Sequence, residues 1–154
     1  MMIDLKRILL VEDNPNDVEL TIEALGEHNL ANMVEVVRDG EEALDYLYRR
    51  GEFASRENGN PTAMLLDLKL PKVSGLEVLK TIRADEGLKL IPVIVLTSSR
   101  HESDMMESYR LGVNAYVVKP VNFDDFMDAV KTLGLFWAII NEPPPRNSTQ
   151  GDVR

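Results

Sequence analysis

Short apolar runs alternate with longer segments of helical period five times along this chain, and that alternation limits its fold more than any other feature. "RILLV" (Arg7 to Val11) has the pattern of a strand, and "DVELTIEAL" after it places Val18, Ile22 and Leu25 at spacings of four and three on one helical face. "MVEVV" (Met33 to Val37) is the second strand, followed by "GEEALDYLYRR", with Ala43, Leu44, Leu47 and Tyr48 expected to face inward. The third strand ends on Asp67 and leads into "LEVLKTIRAD". The fourth, "IPVIVLT" (Ile91 to Thr97), precedes "DMMESYRLG", where Gly112 is the expected C-cap. "AYVVK" (Ala115 to Lys119) is the fifth, with "FDDFMDAVKTL" as the last helix of the repeat. A short turn cannot bring parallel strands side by side, so strands alternating with helices predict an α/β fold with a parallel sheet. Near-continuous apolar strands such as "PVIVL" predict that helices cover both faces.

In open sheets of this kind ligands bind outside the carboxyl ends of the strands. Those ends carry Glu12 and Asp13 after the first strand, Asp67 at the third, Thr97 at the fourth and Lys119 at the fifth. Each has an ordinary reading when taken alone. "EDNP" also makes a good helix start, with Asn14 as N-cap and Pro15 in the first helical position. Thr97, Ser98 and Ser99 can serve as caps for the fourth helix, and Lys119 can be a plain lysine before a turn proline. Asp67 is harder to assign to structure, because an unpaired carboxylate at the end of a buried strand is costly unless a cation or hydrogen bonds compensate it.

Together these residues follow the order of the strands and describe a single site. Clustered acids suit a hard divalent ion with oxygen ligands, and Mg²⁺ is typically held by one or two carboxylates plus phosphate and water. In such a site Asp67 would attack phosphorus as a carboxylate nucleophile and form an acyl phosphate. Mg²⁺ and Lys119 would screen charge on the transferring oxygens, and Thr97 would donate a hydrogen bond to one of them. Two like charges about 4 Å apart repel by about 4 kcal/mol at an effective dielectric near 20. The metal-free trio of Glu12, Asp13 and Asp67 is therefore expected to be strained, with Lys119 relieving part of that strain.

Composition removes other classes. At 154 residues the chain is the size of one domain. Its net charge of −9 opposes nucleic acid and anionic lipid, both of which need clustered Lys and Arg. No apolar run approaches the roughly 20 residues of a membrane span, and the start "MMIDLKRILLVEDN" has acids where a signal peptide would stay apolar, so a cytoplasmic location is expected. The absence of cysteine excludes disulfides and thiolate chemistry.

The motifs "ILLVEDN", "LLDLKLPKVSGLEVL", "VIVLTSS" and "GVNAYVVKPV" resemble the receiver domains of two-component response regulators, from about Lys6 to Leu133. The resemblance implies a flavodoxin-like fold, a five-stranded parallel sheet in the order 2-1-3-4-5 flanked by five helices. It also implies Asp67 as phosphoacceptor and Mg²⁺ held by Asp13, Asp67 and the Lys69 carbonyl, with Glu12 acting through a metal-bound water. Thr97 and Tyr116 would be the switch pair, and the donor would be a phosphohistidine on a sensor histidine kinase. Such a domain is not a turnover enzyme, since hydrolysis of its own acyl phosphate is a slow side activity. Two positions depart from the commonest pattern: Lys69, two residues after the acceptor, and Ser99, two after Thr97. Both leave the lifetime of the acyl phosphate open. The turn "PKVSG" stands where "PxMDG" is usual and keeps Pro71 and Gly75.

Three further features look like the regulators that partner bacterial and cyanobacterial phytochrome kinases: the insert at residues 49–61, the wording "LGVNAYVVKPV" and the ending "FWAIINEPPP". Residues 1–140 are expected to form the receiver with an aromatic extension, and residues 141–154 a disordered, proline-rich and polar tail. Roughly twenty residues follow the last core helix. They cannot build a second fold, so output is expected through a partner, dimerisation or onward phosphotransfer. Phe136, Trp137, Ile139 and Ile140 either pack on their own domain or, as favoured here, meet a second copy in a homodimer. The insert is either flexible or a contact surface.

Three alternatives remain. A haloacid-dehalogenase-like phosphatase also uses an aspartyl nucleophile and Mg²⁺, but looks for a second Asp where this chain has Lys69. A flavodoxin would need hydroxyls and free amides where the first loop is acidic "EDNPND". A pseudo-receiver, docking partners without phosphorylation, is opposed by the intact set of Asp67, Thr97 and Lys119.

Overall fold

The structure is a computed structural model that describes residues 7–26, 34–57 and 59–119, together with Asp124, Asp125 and Asp128. Five strands form one sheet: β1 (Ile8–Val11), β2 (Val34–Val37), β3 (Ala63–Leu66), β4 (Val93–Thr97) and β5 (Ala115–Val118). All neighbours are parallel, in the order β2-β1-β3-β4-β5, as expected. The described helices are α1 (Pro15–Gly26), α2 (Gly40–Tyr48), α3 (Gly75–Arg83) and α4 (Glu102–Arg110). Asp124, Asp125 and Asp128 are helical within the fifth expected helix, whose other residues lie outside the described ones.

Every residue of β1, β3 and β4 is buried. Side chains alternate between the faces with a period of two, which divides the core into two clusters. Leu9, Val11, Met64, Leu66, Val93 and Val95 pack with residues of α2 and α3. Ile8, Leu10, Ala63, Leu65, Ile94 and Leu96 pack with Val18 and Leu25 of α1 on the other face. Burial on both faces is the reason these strands read as unbroken apolar runs.

The helices start where local chemistry places them. Asn14 caps α1 by accepting from the N–H groups of Asn16 and Asp17 at 2.9 and 3.2 Å. Asp39 and Ser74 do the same for α2 and α3. Ser99 accepts from the His101 N–H at 3.3 Å and donates to Asp104 at 2.6 Å, so within the Thr97–Ser99 run it is Ser99 that holds the start of α4. Gly112 follows the last turn of that helix with φ +78°.

One expected helix face is corrected. Tyr46, not Tyr48, is buried with Ala43 and Leu47, and Tyr48 is exposed and donates to Asp85 at 2.7 Å. Tyr46 and Leu47 lie three and four residues beyond Ala43 and share its face, whereas Tyr48 lies five beyond and turns away. Tyr46 also organises the insert. Phe53, in a short 3₁₀ turn (Gly51–Phe53), meets its ring edge-on at 5.2 Å, and the Arg56 guanidinium stacks 4.0 Å from the ring centroid. Arg56 donates to the Tyr46 and Gly59 carbonyl oxygens. Cation–π contact and main-chain bonds thus fix this connection against α2.

Candidate functional site

Strand register decides which side chains meet at the rim. Val11 pairs with both Val37 and Leu66, so the next residues, Glu12 and Asp67, leave the sheet side by side. The Asp67 N–H donates to the Val11 carbonyl at 3.1 Å, and the Glu12 N–H to the Val37 carbonyl at 3.0 Å. Thr97 pairs with Val118, and the Lys119 N–H donates to the Thr97 carbonyl at 2.9 Å. A slip of one residue in any of these pairings would turn the site residues to the opposite face.

Beyond the sheet, the Lys119 ammonium donates to three carboxylates: Glu12 at 2.6 Å, Asp17 at 2.8 Å and Asp67 at 3.1 Å. Glu12 and Asp67 are buried, at 2% and 6% exposure, while Asp13 is exposed. One carboxylate oxygen from each of Glu12, Asp13 and Asp67 lies within 4.8 Å of the others. Three oxygen donors without sulfur or imidazole match the preference of a hard divalent cation. The site can therefore hold such an ion. Lys69 approaches through its main chain, its N–H donating to Asp67 Oδ1 at 3.3 Å, with its side chain exposed.

The electrostatic consequences of this packing fall on Glu12 and Lys119. Burial pushes the Glu12 carboxyl up to about 7; the Lys119 hydrogen bond opposes this shift and the Asp67 charge adds to it. Burial works against the Lys119 ammonium, but its hydrogen bonds to Asp17 and Glu12 and the charge of Asp67 outweigh that and raise its pKa. A cation hydrogen-bonded to three carboxyl groups keeps its proton over the whole physiological range.

Thr97 is fully buried, and its Oγ1 accepts from the Ser99 N–H at 3.3 Å. Among the described residues its own hydroxyl hydrogen meets no acceptor, which leaves it able to donate. The Tyr116 hydroxyl donates to the Ser99 carbonyl at 3.1 Å, with its ring half-buried against the core. Ser99 consequently links Thr97, Tyr116 and the start of α4.

Of the residues expected from sequence, Glu12, Asp13, Asp67 and Lys119 come together, with the Lys69 main chain against Asp67. Thr97 stands at the adjacent strand end, and Tyr116 is joined to it through Ser99. Phe136, Trp137, Ile139 and Ile140 lie outside the described residues. Asp17 was missed by sequence reasoning, and so was the linking role of Ser99. The available signal for Asp17 was its position in the first turn of the helix that leaves the acidic β1 loop.

The chain matches the response regulator receiver domain family over residues 8–131. It is 41% identical to response regulator Rcp1 of Synechocystis sp. (strain ATCC 27184 / PCC 6803 / Kazusa) over 86% of this chain and 88% of that one. Its structure resembles the Mn²⁺-bound form of Rcp1, with a TM-score of 0.74 and 39% identity, covering 92% of this chain and 99% of that one. The bacteriophytochrome response regulator RtBRR superposes with a TM-score of 0.80 at 62% identity, covering 92% and 85% of the two chains. The phosphorylated cyanobacterial phytochrome response regulator RcpA does so with 0.73 at 45% identity, covering 86% and 94%. A buried aspartate at the end of the central strand, paired with a lysine from the fifth and flanked by acids from the first, thus occurs in a chain that belongs to the response regulator receiver domain family.

Proposed function

We propose that this receiver accepts a phosphoryl group on Asp67 from a phosphohistidine of a sensor histidine kinase, a phytochrome by the likeness to RtBRR and RcpA. The observation that carries the reading is the buried Asp67 carboxylate, 3.1 Å from the Lys119 ammonium and beside the oxygens of Glu12 and Asp13. An Asp67 oxygen attacks phosphorus, the P–N bond to a donor imidazole that carries a proton on its other nitrogen breaks, and the electron pair of that bond returns to the ring. The product is an aspartyl phosphate and a neutral histidine.

Asp13 and Asp67, with the Lys69 carbonyl, would hold Mg²⁺, and Glu12 would contact it through water. The bound ion supplies charge neutralisation for the phosphoryl oxygens. Lys119, already bonded to Asp67, neutralises a further oxygen. Thr97 turns its free hydroxyl hydrogen to another, and because Oγ1 also holds the Ser99 N–H, that turn draws on the loop whose carbonyl anchors Tyr116. Tyr116 and the start of α4 would report the modification on the surface.

The same reading takes the receiver as residues 1–140 with a separate tail at 141–154, acting in the cytoplasm. In support, no helix among the described residues is long and apolar enough to cross a membrane. Signalling would use a homodimer through Phe136, Trp137, Ile139 and Ile140. Met106 and Tyr109 of α4, both about half exposed, are further apolar side chains open to a partner. Light scattering tests this: a dimeric mass that falls to the monomer in Trp137→Ala is expected, and a monomeric mass for both proteins would remove the dimer.

Intact mass after incubation with acetyl phosphate tests the central claim. One added phosphoryl group is expected for the wild type with Mg²⁺, and none with chelator or in Asp67→Asn. An adduct that persists in Asp67→Asn would place the acceptor elsewhere. No adduct in any condition, together with no beryllofluoride binding, would favour a docking module that works without phosphorylation.

A further inference from the structure

Lys119 has three N–H donors and three carboxylate partners, each on a different element: Glu12 after β1, Asp17 in the first turn of α1 and Asp67 after β3. Glu12 and Asp67 belong to the oxygen cluster that a divalent cation would use, and Asp17 does not. A cation entering that cluster competes with the ammonium for two of its three partners. The 2.8 Å bond to Asp17 is left uncontested.

Asp17 is also well fixed. It is the third residue of α1, its N–H is held by the Asn14 side chain, and the Asn14 N–H is held in turn by Glu12 at 3.2 Å. Its short side chain leaves little freedom, so the helix start sets where the carboxylate sits. We propose that Asp17 is a positioning residue for Lys119, retaining the ammonium at the rim when a divalent cation draws on the charge of Glu12 and Asp67. The inference rests on the receiver reading above and adds to it a residue outside the oxygen cluster. With Asp17 in place, the ammonium keeps one partner that the cation does not share and stays within reach of the transferring group. Without Asp17, every carboxylate partner left to Lys119 is shared with the cation.

A remote negative charge would also favour a cation at this site, but that effect does not need Lys119. A double-mutant cycle separates the two. Mg²⁺ affinity would be measured calorimetrically for wild type, Asp17→Asn, Lys119→Met and the double variant, below all melting transitions. Asp17→Asn is expected to weaken Mg²⁺ binding about three- to tenfold when Lys119 is present and less than about twofold in the Lys119→Met background. A second cycle, read as melting temperature in chelator, needs no metal. There Asp17→Asn should lower the melting temperature clearly more with Lys119 present than with methionine in that place, because the charge it removes from the first turn of α1 is lost in both. An equal loss of affinity in both backgrounds, or an equal melting shift in both, would overturn the inference and leave the receiver reading standing. Failure of the wild type to bind Mg²⁺ would overturn both.

Discussion

Replacing Lys119 with methionine should lower the melting temperature of the metal-free protein at pH 8 by roughly 5–15 °C. The estimate takes about 2–4 kcal/mol for removing one partner from a buried ionic cluster and about 2–4 °C per kcal/mol for a domain of this size. Lys119 is the shared counter-ion of Glu12, Asp17 and Asp67, and its side chain is only 12% exposed. The loss should grow with pH. Glu12 in the folded chain holds its proton up to about 7, above its ordinary 4.5, so the folded state binds more protons than the unfolded across that window and stability falls as pH rises through it. Without the Lys119 hydrogen bond that opposes the shift, the Glu12 pKa rises further and the window extends upward. The variant should therefore approach the wild type near pH 5 and diverge from it toward pH 8. Saturating Mg²⁺ should restore part of the difference, since it supplies the missing positive charge. Melting curves within about 2 °C of each other at pH 8 in chelator would show that the ion pairs contribute no net stability, the usual result for exposed pairs.

Gly75→Ala should destabilise the protein by about 3 kcal/mol, at the upper end for an overpacked site, although the same exchange in an open helix is expected to stabilise by up to about 1 kcal/mol. Gly75 is the first residue of α3, and its N–H donates to the Leu68 carbonyl at 2.9 Å. A Cβ there would overlap the Asp67 carbonyl oxygen and lie only 2.6 Å from the Leu68 Cα. The obstacle is backbone, so no side chain can rotate aside. The displaced atoms belong to the proposed acceptor residue itself, and phosphorylation by acetyl phosphate should fall together with stability. Gly59, with nothing within 4 Å of its Cβ position, is the control, and Gly59→Ala should leave the melting temperature unchanged. Equal behaviour of the two variants would mean that β3 and α3 separate without cost.

Much of this was legible in the chain. Val93 to Leu96 read as a strand covered on both faces because no polar residue interrupts them, and Asp67 stood out because a carboxylate ended an equally apolar run. Other features were not legible. Tyr46 and Tyr48 flank Leu47 with the same chemistry, and which ring is buried depends on the helical phase set by α2 starting at Gly40. The insert gave no periodic signal, since what orders it is an arginine stacked on a ring ten residues earlier in the chain.

The sequence by itself determined the alternation of strand and helix, the parallel sheet and the set of groups at the strand ends, because hydrophobic period and chain direction are local properties. Only the tertiary structure decided how those groups share charge. Asp17 bonds a lysine 102 positions away, and the Ser99 carbonyl meets a hydroxyl 17 positions on. Such pairings depend on strand register and on the depth at which a helix packs, and both are set by the whole core at once.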